Sequence, residues 1–411
     1  MSTFPQQRRV SDHAEETGVL QFTPEFELLL TCCALSKAYC REKLKYFLTR
    51  RYDFAAFIRL AGEHRVIPHT YRALSAHAEL LSAADFARLR TEYEENARRA
   101  LCISSELLRV VRHLEAGRIE VIAYKGPVLA QALYGDVTAR QFFDLDILVT
   151  PRSVGAAKAA LAQLGYVPEI NLSARREASF IASGYEYPFS GPAGPHTLEL
   201  KWRILPRFYS IDFDTRAFFT RAKNLVVTAS SLPTLGDDDL LLVLCVHAAK
   251  HMWAQLSWLC DIAELTTLRE MQWETVCTKA EQLGIARIVG VSLQLTHDLL
   301  GSDLPISLQE WCRKDSEIKI LSEQISCMIS EGWSYDTESL SYFQFMLRLR
   351  ERIWDKLRFL WRLAWTPSIG EWAEVYLPER LALGYYLMRV GRLAGKVFSA
   401  RVRGREREAH S

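Results

Sequence analysis

Residues 141–149 read Gln-Phe-Phe-Asp-Leu-Asp-Ile-Leu-Val, and no other run limits the fold of this chain as much. Side chains alternate along a strand, so Phe143, Leu145, Ile147 and Val149 share one face, while Asp144, Asp146 and Leu148 share the other. The first face can bury itself against helices. The second holds two carboxylates whose Cα atoms are about 6.5–7 Å apart, close enough to converge on divalent ions lying about 3.5–4 Å from one another. Unneutralised carboxylates on an otherwise apolar strand are costly, and bound Mg²⁺ would remove that cost. A solvated edge strand with two outward aspartates is the plain alternative.

The chain changes character on either side of this run. Residues 23–115 read as consecutive helices. A long one spans 25–46, without internal Gly or Pro, and another spans 83–114, with apolar residues at helical spacing. Near 117 the pattern shifts. Residues 118–124 are short and β-branched, a strand signal; Lys125-Gly126-Pro127 stops them, and a helix over 128–134 ends at Gly135. A helix over 151–164 closes at Gly165. Residues 185–189 and 197–203 suggest an antiparallel pair joined by the turn-rich segment 190–195. The order predicts a small mixed sheet with helices on one face. From 236 the chain is helical again, with Asp237, Asp238 and Asp239 as N-cap candidates, a cationic amphipathic stretch over 341–365 and a last helix over 379–400.

The expected organisation is α+β: a flexible tail (1–22), an N-terminal helical region (23–115), a mixed-sheet core (116–232), a C-terminal helical domain (233–400) and a polar tail (401–411). Lys plus Arg number 51 against 49 Asp plus Glu. That balance argues against a dedicated nucleic-acid binder, so no stable nucleic-acid partner is expected. Nine cysteines without a CxxC pair read as mostly buried free thiols and suggest a reducing compartment. The N-terminus lacks the apolar run of a secretory signal. No apolar stretch reaches the roughly 18–20 residues of a spanning helix. The expected location is cytoplasmic, with no membrane span.

Other residues join the acidic strand as candidates. Lys125 and Gly126 stand at a strand-to-helix junction, where free backbone N–H groups and a point charge favour a phosphate; an ordinary tight turn reads the same way. Arg140 could pair with a phosphate or with Asp144. Glu199, opposite in facing to Leu198, Leu200 and Trp202, supplies a third carboxylate if its strand neighbours the Asp strand. His247 and His251 lie four apart on one helix face, but the metalloprotease Glu is missing from the HxxxH motif. Core histidines are one reading; His247, Lys250 and His251 over an active cleft, touching triphosphate or base, is another. Asp261 either lines the same cleft or forms a helix-end salt bridge. Residues 348–362 interleave Arg348, Arg350, Arg352, Lys356, Arg358 and Arg362 with Trp354, Phe359 and Trp361. They could bind anionic lipid or nucleic acid, or simply form a surface helix whose arginines cover apolar surface.

Taken together, Tyr124-Lys125-Gly126-Pro127, Leu133-Tyr134-Gly135, Arg140, Asp144-Leu145-Asp146 and Leu198-Glu199-Leu200-Lys201-Trp202 resemble the nucleotidyltransferase family proteins of the polymerase-β-like superfamily. The resemblance continues through His247-Ala248-Ala249-Lys250-His251 and Trp258-Leu259-Cys260-Asp261. It implies a palm-like core between helical domains, with Asp144, Asp146 and Glu199 as catalytic carboxylates holding Mg²⁺ or Mn²⁺. It implies that Lys125 and Gly126 grip a nucleoside triphosphate, with ATP the expected donor. A nucleotide would then pass to an acceptor (small molecule, peptide or protein) with release of pyrophosphate. The turn departs from the superfamily's usual Gly-Ser or Gly-Gly and lies farther from the first aspartate. The competing readings are a catalytically silent binding or scaffold protein, and a membrane-surface or nucleic-acid-binding protein led by residues 348–362.

Overall fold

The computed structural model describes residues 22–366 except 36, 51, 193–196, 333–335 and 338. The expected last helix over 379–400 and the polar tail lie outside the described residues, as does nearly all of the N-terminal tail.

The predicted helix over 25–46 is two helices, Pro24–Cys33 and Lys37–Leu48. The ladder breaks where Ala34 turns extended and the Leu35 N–H donates to Leu300 O instead, at 3.2 Å. Tertiary pairing here overrides a pattern that is locally helical throughout. The next long helix, Ala83–Ala116, starts at Ser82, whose hydroxyl accepts from the Asp85 N–H. Its buried stripe (Ile103, Leu107, Val110, Val111, Leu114) recurs every three or four residues and faces the sheet.

Five strands form that sheet: β1 (Val121–Ala123), β2 (Asp144–Val149), β3 (Val167–Pro168), β4 (Glu186–Ser190) and β5 (Thr197–Lys201), in the order β1-β2-β5-β4-β3. Strands β2 and β5 run parallel, and every other pairing is antiparallel. Leu145, Ile147, Val149, Leu198 and Leu200 pack against the Ala83–Ala116 and Val154–Gln163 helices. On the opposite face, Ile122, Tyr124 and Leu148 join the core of the C-terminal helices. Gly135 and Gly165 close their helices at φ 69° and 86°, where L side chains are strained.

A second sheet pairs β6 (Lys223–Val227) with β7 (Ser230–Thr234). Its turn, Thr228-Ala229, holds both residues at positive φ without the Asn or Gly that normally marks such a hairpin, so the sequence gives no warning of it. The Ala174–Ser183 helix is likewise unannounced. The Asp237–Lys250 helix is capped by Gly236 rather than by an aspartate. Asp237 instead pairs with Lys223, and Asp239 with Arg221 and Lys279. This helix does not run on to Asp261. Met252 and Trp253 adopt φ 53° and 50°, and a new helix, Leu256–Leu268, begins.

The cationic stretch also divides, into Leu340–Arg348 and Ile353–Trp365. Much of its charge is engaged internally. Arg350 is buried and donates to Tyr209 O, Arg348 pairs with Glu317, and Arg358 and Arg362 both pair with Asp212. Among the described residues no helix is long and apolar enough to cross a membrane.

Sheet and C-terminal helices meet at a buried ion pair. Arg140, just before β2, donates from Nε to both oxygens of Asp261, at 3.0 and 2.9 Å, and the Tyr134 hydroxyl donates to the same carboxylate. Asp261 is fully buried. Removing it leaves a buried guanidinium uncompensated. Asp261→Ala is expected to lower unfolding stability in urea by about 3–5 kcal/mol, whereas the exposed Glu92→Ala control stays within about 0.5 kcal/mol.

Candidate active site

Between the charged face of the sheet and the Asp237–Lys250 helix lies a cleft of about 260 Å³. Its walls include Asp144, Asp146, Glu199, Lys125, Gly126, Arg140, His247, Lys250 and His251, so these residues singled out in the sequence face one space, and Asp261 does not. A larger cavity of 620 Å³ opens elsewhere, among Cys32, Leu44, His77 and Leu268, with a mostly apolar lining.

The acidic centre follows from register. Parallel pairing sets Asp146 directly opposite Glu199, so both side chains leave the same face, with Asp144 one step along. One oxygen from each of the three carboxylates lies within 4.8 Å of the others. Among the described residues this is the one grouping of three or more His, Cys, Asp or Glu residues compact enough to hold a metal. All three donors are hard oxygens, which suit Mg²⁺ or Mn²⁺. Asp146 is 4% exposed, and its Oδ1 receives no well-aligned hydrogen bond. The nearest cationic atoms are Lys201 Nζ at 3.3 Å and Lys125 Nζ at 3.6 Å. A buried oxygen left this way fits a metal ligand.

Electrostatics separates the two facing carboxylates. Burial alone would push Asp146 up, but Lys125 and Lys201 overcome it and hold the group at about 2. Glu199 goes the other way. Burial, with repulsion from Asp146 and Glu186, outweighs Lys201 and raises it to about 7. Lys201 is the hub: its Nζ donates to Glu199 Oε2 at 2.5 Å and to Glu186 Oε2. Burial opposes the ammonium, yet these carboxylates hold its pKa well above the ordinary lysine value. Neither Glu186 nor this role of Lys201 stands out in the sequence. The signal becomes visible once β4 and β5 are paired, because Glu186 then falls opposite Lys201.

The Lys125-Gly126-Pro127 turn forms the next wall. Gly126 has φ +55°, and an added Cβ would stand 3.4 Å from Asp144 O, so a side chain is disfavoured by conformation more than by space. Lys125 Nζ donates to His247 Nδ1 at 3.2 Å. An imidazole that accepts from an ammonium is neutral, in keeping with a His247 pKa driven well below 6.5 by burial and then by Lys125. His251 is lowered by burial and Lys250 in the same way. The two rings contact each other at 4.8 Å and Trp258 at 5.4 and 5.2 Å, forming an aromatic wall. Trp258 and Arg65, not among the expected site residues, also line the cleft. Lys250 sits 5.4 Å from the Tyr185 ring centroid, its pKa lowered by burial. Arg140 reaches the cleft, but its guanidinium fork is held by Asp261 rather than by Asp144. Asp261 itself lies behind the wall.

Residues 50–301 match the model of a family described as uncharacterised nucleotidyltransferase, more than half of the chain. No curated protein matches it.

The raised Glu199 pKa sets a pH dependence. A carboxyl that holds its proton more tightly when folded stabilises the fold fully below its unfolded value of 4.5, and that contribution is lost as pH rises through about 7. In EDTA, the melting temperature of wild type is therefore expected to fall relative to Glu199→Gln between pH 5 and pH 8. Mn²⁺ added at pH 8 is expected to recover the loss in wild type, because deprotonated carboxylate is the ligand form. A pH-independent difference between the two proteins would contradict the assignment.

Proposed function

We propose that this chain, which belongs to the uncharacterised nucleotidyltransferase family, moves a nucleoside monophosphate from a triphosphate, with ATP the expected donor, to an acceptor. The observation behind this reading is the facing Asp146–Glu199 pair, buried at Asp146, meeting three lysines and a neutral histidine across one cleft.

Asp144, Asp146 and Glu199 are the residues to hold Mg²⁺ or Mn²⁺. When bound, the ion supplies charge stabilisation at the attacking and leaving oxygens. Lys125 and Lys250, with the backbone at Gly126, face the triphosphate and offset its charge. His247 is neutral and takes the Lys125 proton side, which aims the lysine into the cleft. The ring wall of His247, His251 and Trp258 offers a stacking surface to the base. Glu199 faces the same cleft and accepts the proton from the acceptor nucleophile. The nucleophile bonds to the α-phosphorus, the bond to the bridging oxygen breaks, and pyrophosphate departs. The acceptor is a small molecule, a peptide or a protein. The free thiols at Cys33, Cys245, Cys260 and Cys312 suit a reducing compartment such as the cytoplasm.

A second reading, a catalytically silent nucleotide-binding or scaffold protein, draws on one observation. Lys201 already neutralises part of the acidic centre, and such a centre is tolerable without metal.

Incubation of the protein with each α-labelled NTP, Mg²⁺ and a cell extract is expected to move label from one nucleotide onto one acceptor. Asp146→Asn keeps the shape and removes a ligand charge. It is expected to reduce that transfer by at least about 100-fold with an unchanged circular dichroism spectrum. Full transfer by the variant would overturn the metal role. Mg²⁺–NTP binding without transfer to any acceptor would favour the silent reading.

A further inference from the structure

We propose that the Lys201 ammonium stands in for a second divalent cation, so that this site takes one metal ion where two-metal phosphoryl-transfer sites take two. The proposal deepens the nucleotidyl-transfer reading and rests on it.

The placement is the argument. Two-metal sites hold their ions about 3.5–4 Å apart, bridged by shared carboxylates. Here a cation fixed to the protein already occupies bridging distance from the same groups: Lys201 Nζ lies 2.5 Å from Glu199 Oε2 and 3.3 Å from Asp146 Oδ1. It also donates to Glu186, the partner of Lys201 across the β4–β5 ladder. Lys201 emerges from the sheet interior and is only 4% exposed, so it is not a surface side chain visiting the cleft.

Nor is it free to leave when a metal arrives. Glu186 is 8% exposed and relies on Lys201 as its ion-pair partner. Moving the ammonium out would strip that buried carboxylate of its ion-pair partner and leave Lys250 as its remaining cationic neighbour, which is unfavourable. The oxygens left for one ion belong to Asp144, to Asp146 and to the Glu199 oxygen that Lys201 does not take.

Mn²⁺ binding tests this directly. Full-length protein is mixed with an equimolar non-hydrolysable α,β-methylene ATP analogue and titrated with Mn²⁺, and free Mn²⁺ is followed by its paramagnetic resonance signal. One Mn²⁺ per chain is expected in wild type and two in Lys201→Met, which keeps the length of the side chain and removes its charge. Two ions in wild type, or one in a folded Lys201→Met, would overturn the proposal. If that variant does not fold, Lys201→Gln replaces it, and the wild-type count still decides on its own. The two readings fail differently. Two ions bound with the analogue refute the Lys201 assignment and leave nucleotidyl transfer standing, whereas no binding of Mn²⁺ or analogue refutes both.

Discussion

Everything at the centre of this molecule follows from setting Asp146 opposite Glu199 on neighbouring parallel strands. Two carboxylates forced onto the same side of a buried sheet repel each other and lose hydration together. The surrounding residues answer that cost. Lys201 is threaded between Glu199 and Glu186, Lys125 approaches Asp146 from the turn after β1, and the opposite face of the same strands is wholly apolar and packed on helices. The strand pair cannot slip by one residue to relieve the repulsion, because slippage would carry Leu145 and Ile147 out of the core and the aspartates into it.

The same constraint separates the two acids. Both sit in the same low-dielectric space, yet Asp146 has two cations within 3.6 Å while Glu199 shares its lysine with Glu186. Unequal access to positive charge pushes the pKa of Asp146 down and that of Glu199 up. A pair of titratable groups pushed apart by their environment is the arrangement from which ligand and base roles can be divided. The helical layer extends this by keeping His247 uncharged, so that the ring accepts from Lys125 instead of repelling it.

How far the sequence discloses all this depends on the range of the interaction. Period-two alternation marks Asp144 and Asp146 against Leu145 and Ile147, and Gly135 and Gly165 punctuate their helices, since these are properties of a few adjacent residues. Strand pairing is not. That β5 rather than β4 neighbours β2, and runs parallel to it, depends on the whole crossover between residues 150 and 196, so the Asp146–Glu199 match is conditional until the sheet is seen. Arg140 shows the limit most clearly. Its local neighbour is Asp144, but its partner is Asp261, far along the chain on a helix that restarts after the turn at Met252 and Trp253. The Asp237–Asp239 run misleads for a related reason: a cap and an ion-pair acceptor look alike in sequence, and the cations that claim Asp237 and Asp239 come from Lys223, Arg221 and Lys279.

That long-range pair gives the cleft its rigidity. Lys125 and His247 join the turn after β1 to the Asp237–Lys250 helix, while Arg140, Tyr134 and Asp261 join the start of β2 and the first helix of the core to the Leu256–Leu268 helix. Both joints tie the sheet to the helices behind the cleft through bonding geometry that a shift would weaken. Charges fixed in advance in a partly dehydrated cleft need little reorganisation when new charge develops, and this preorganisation is the usual source of electrostatic catalysis. The buried pair at Arg140 and Asp261 ties one wall of that cleft to the helix behind it.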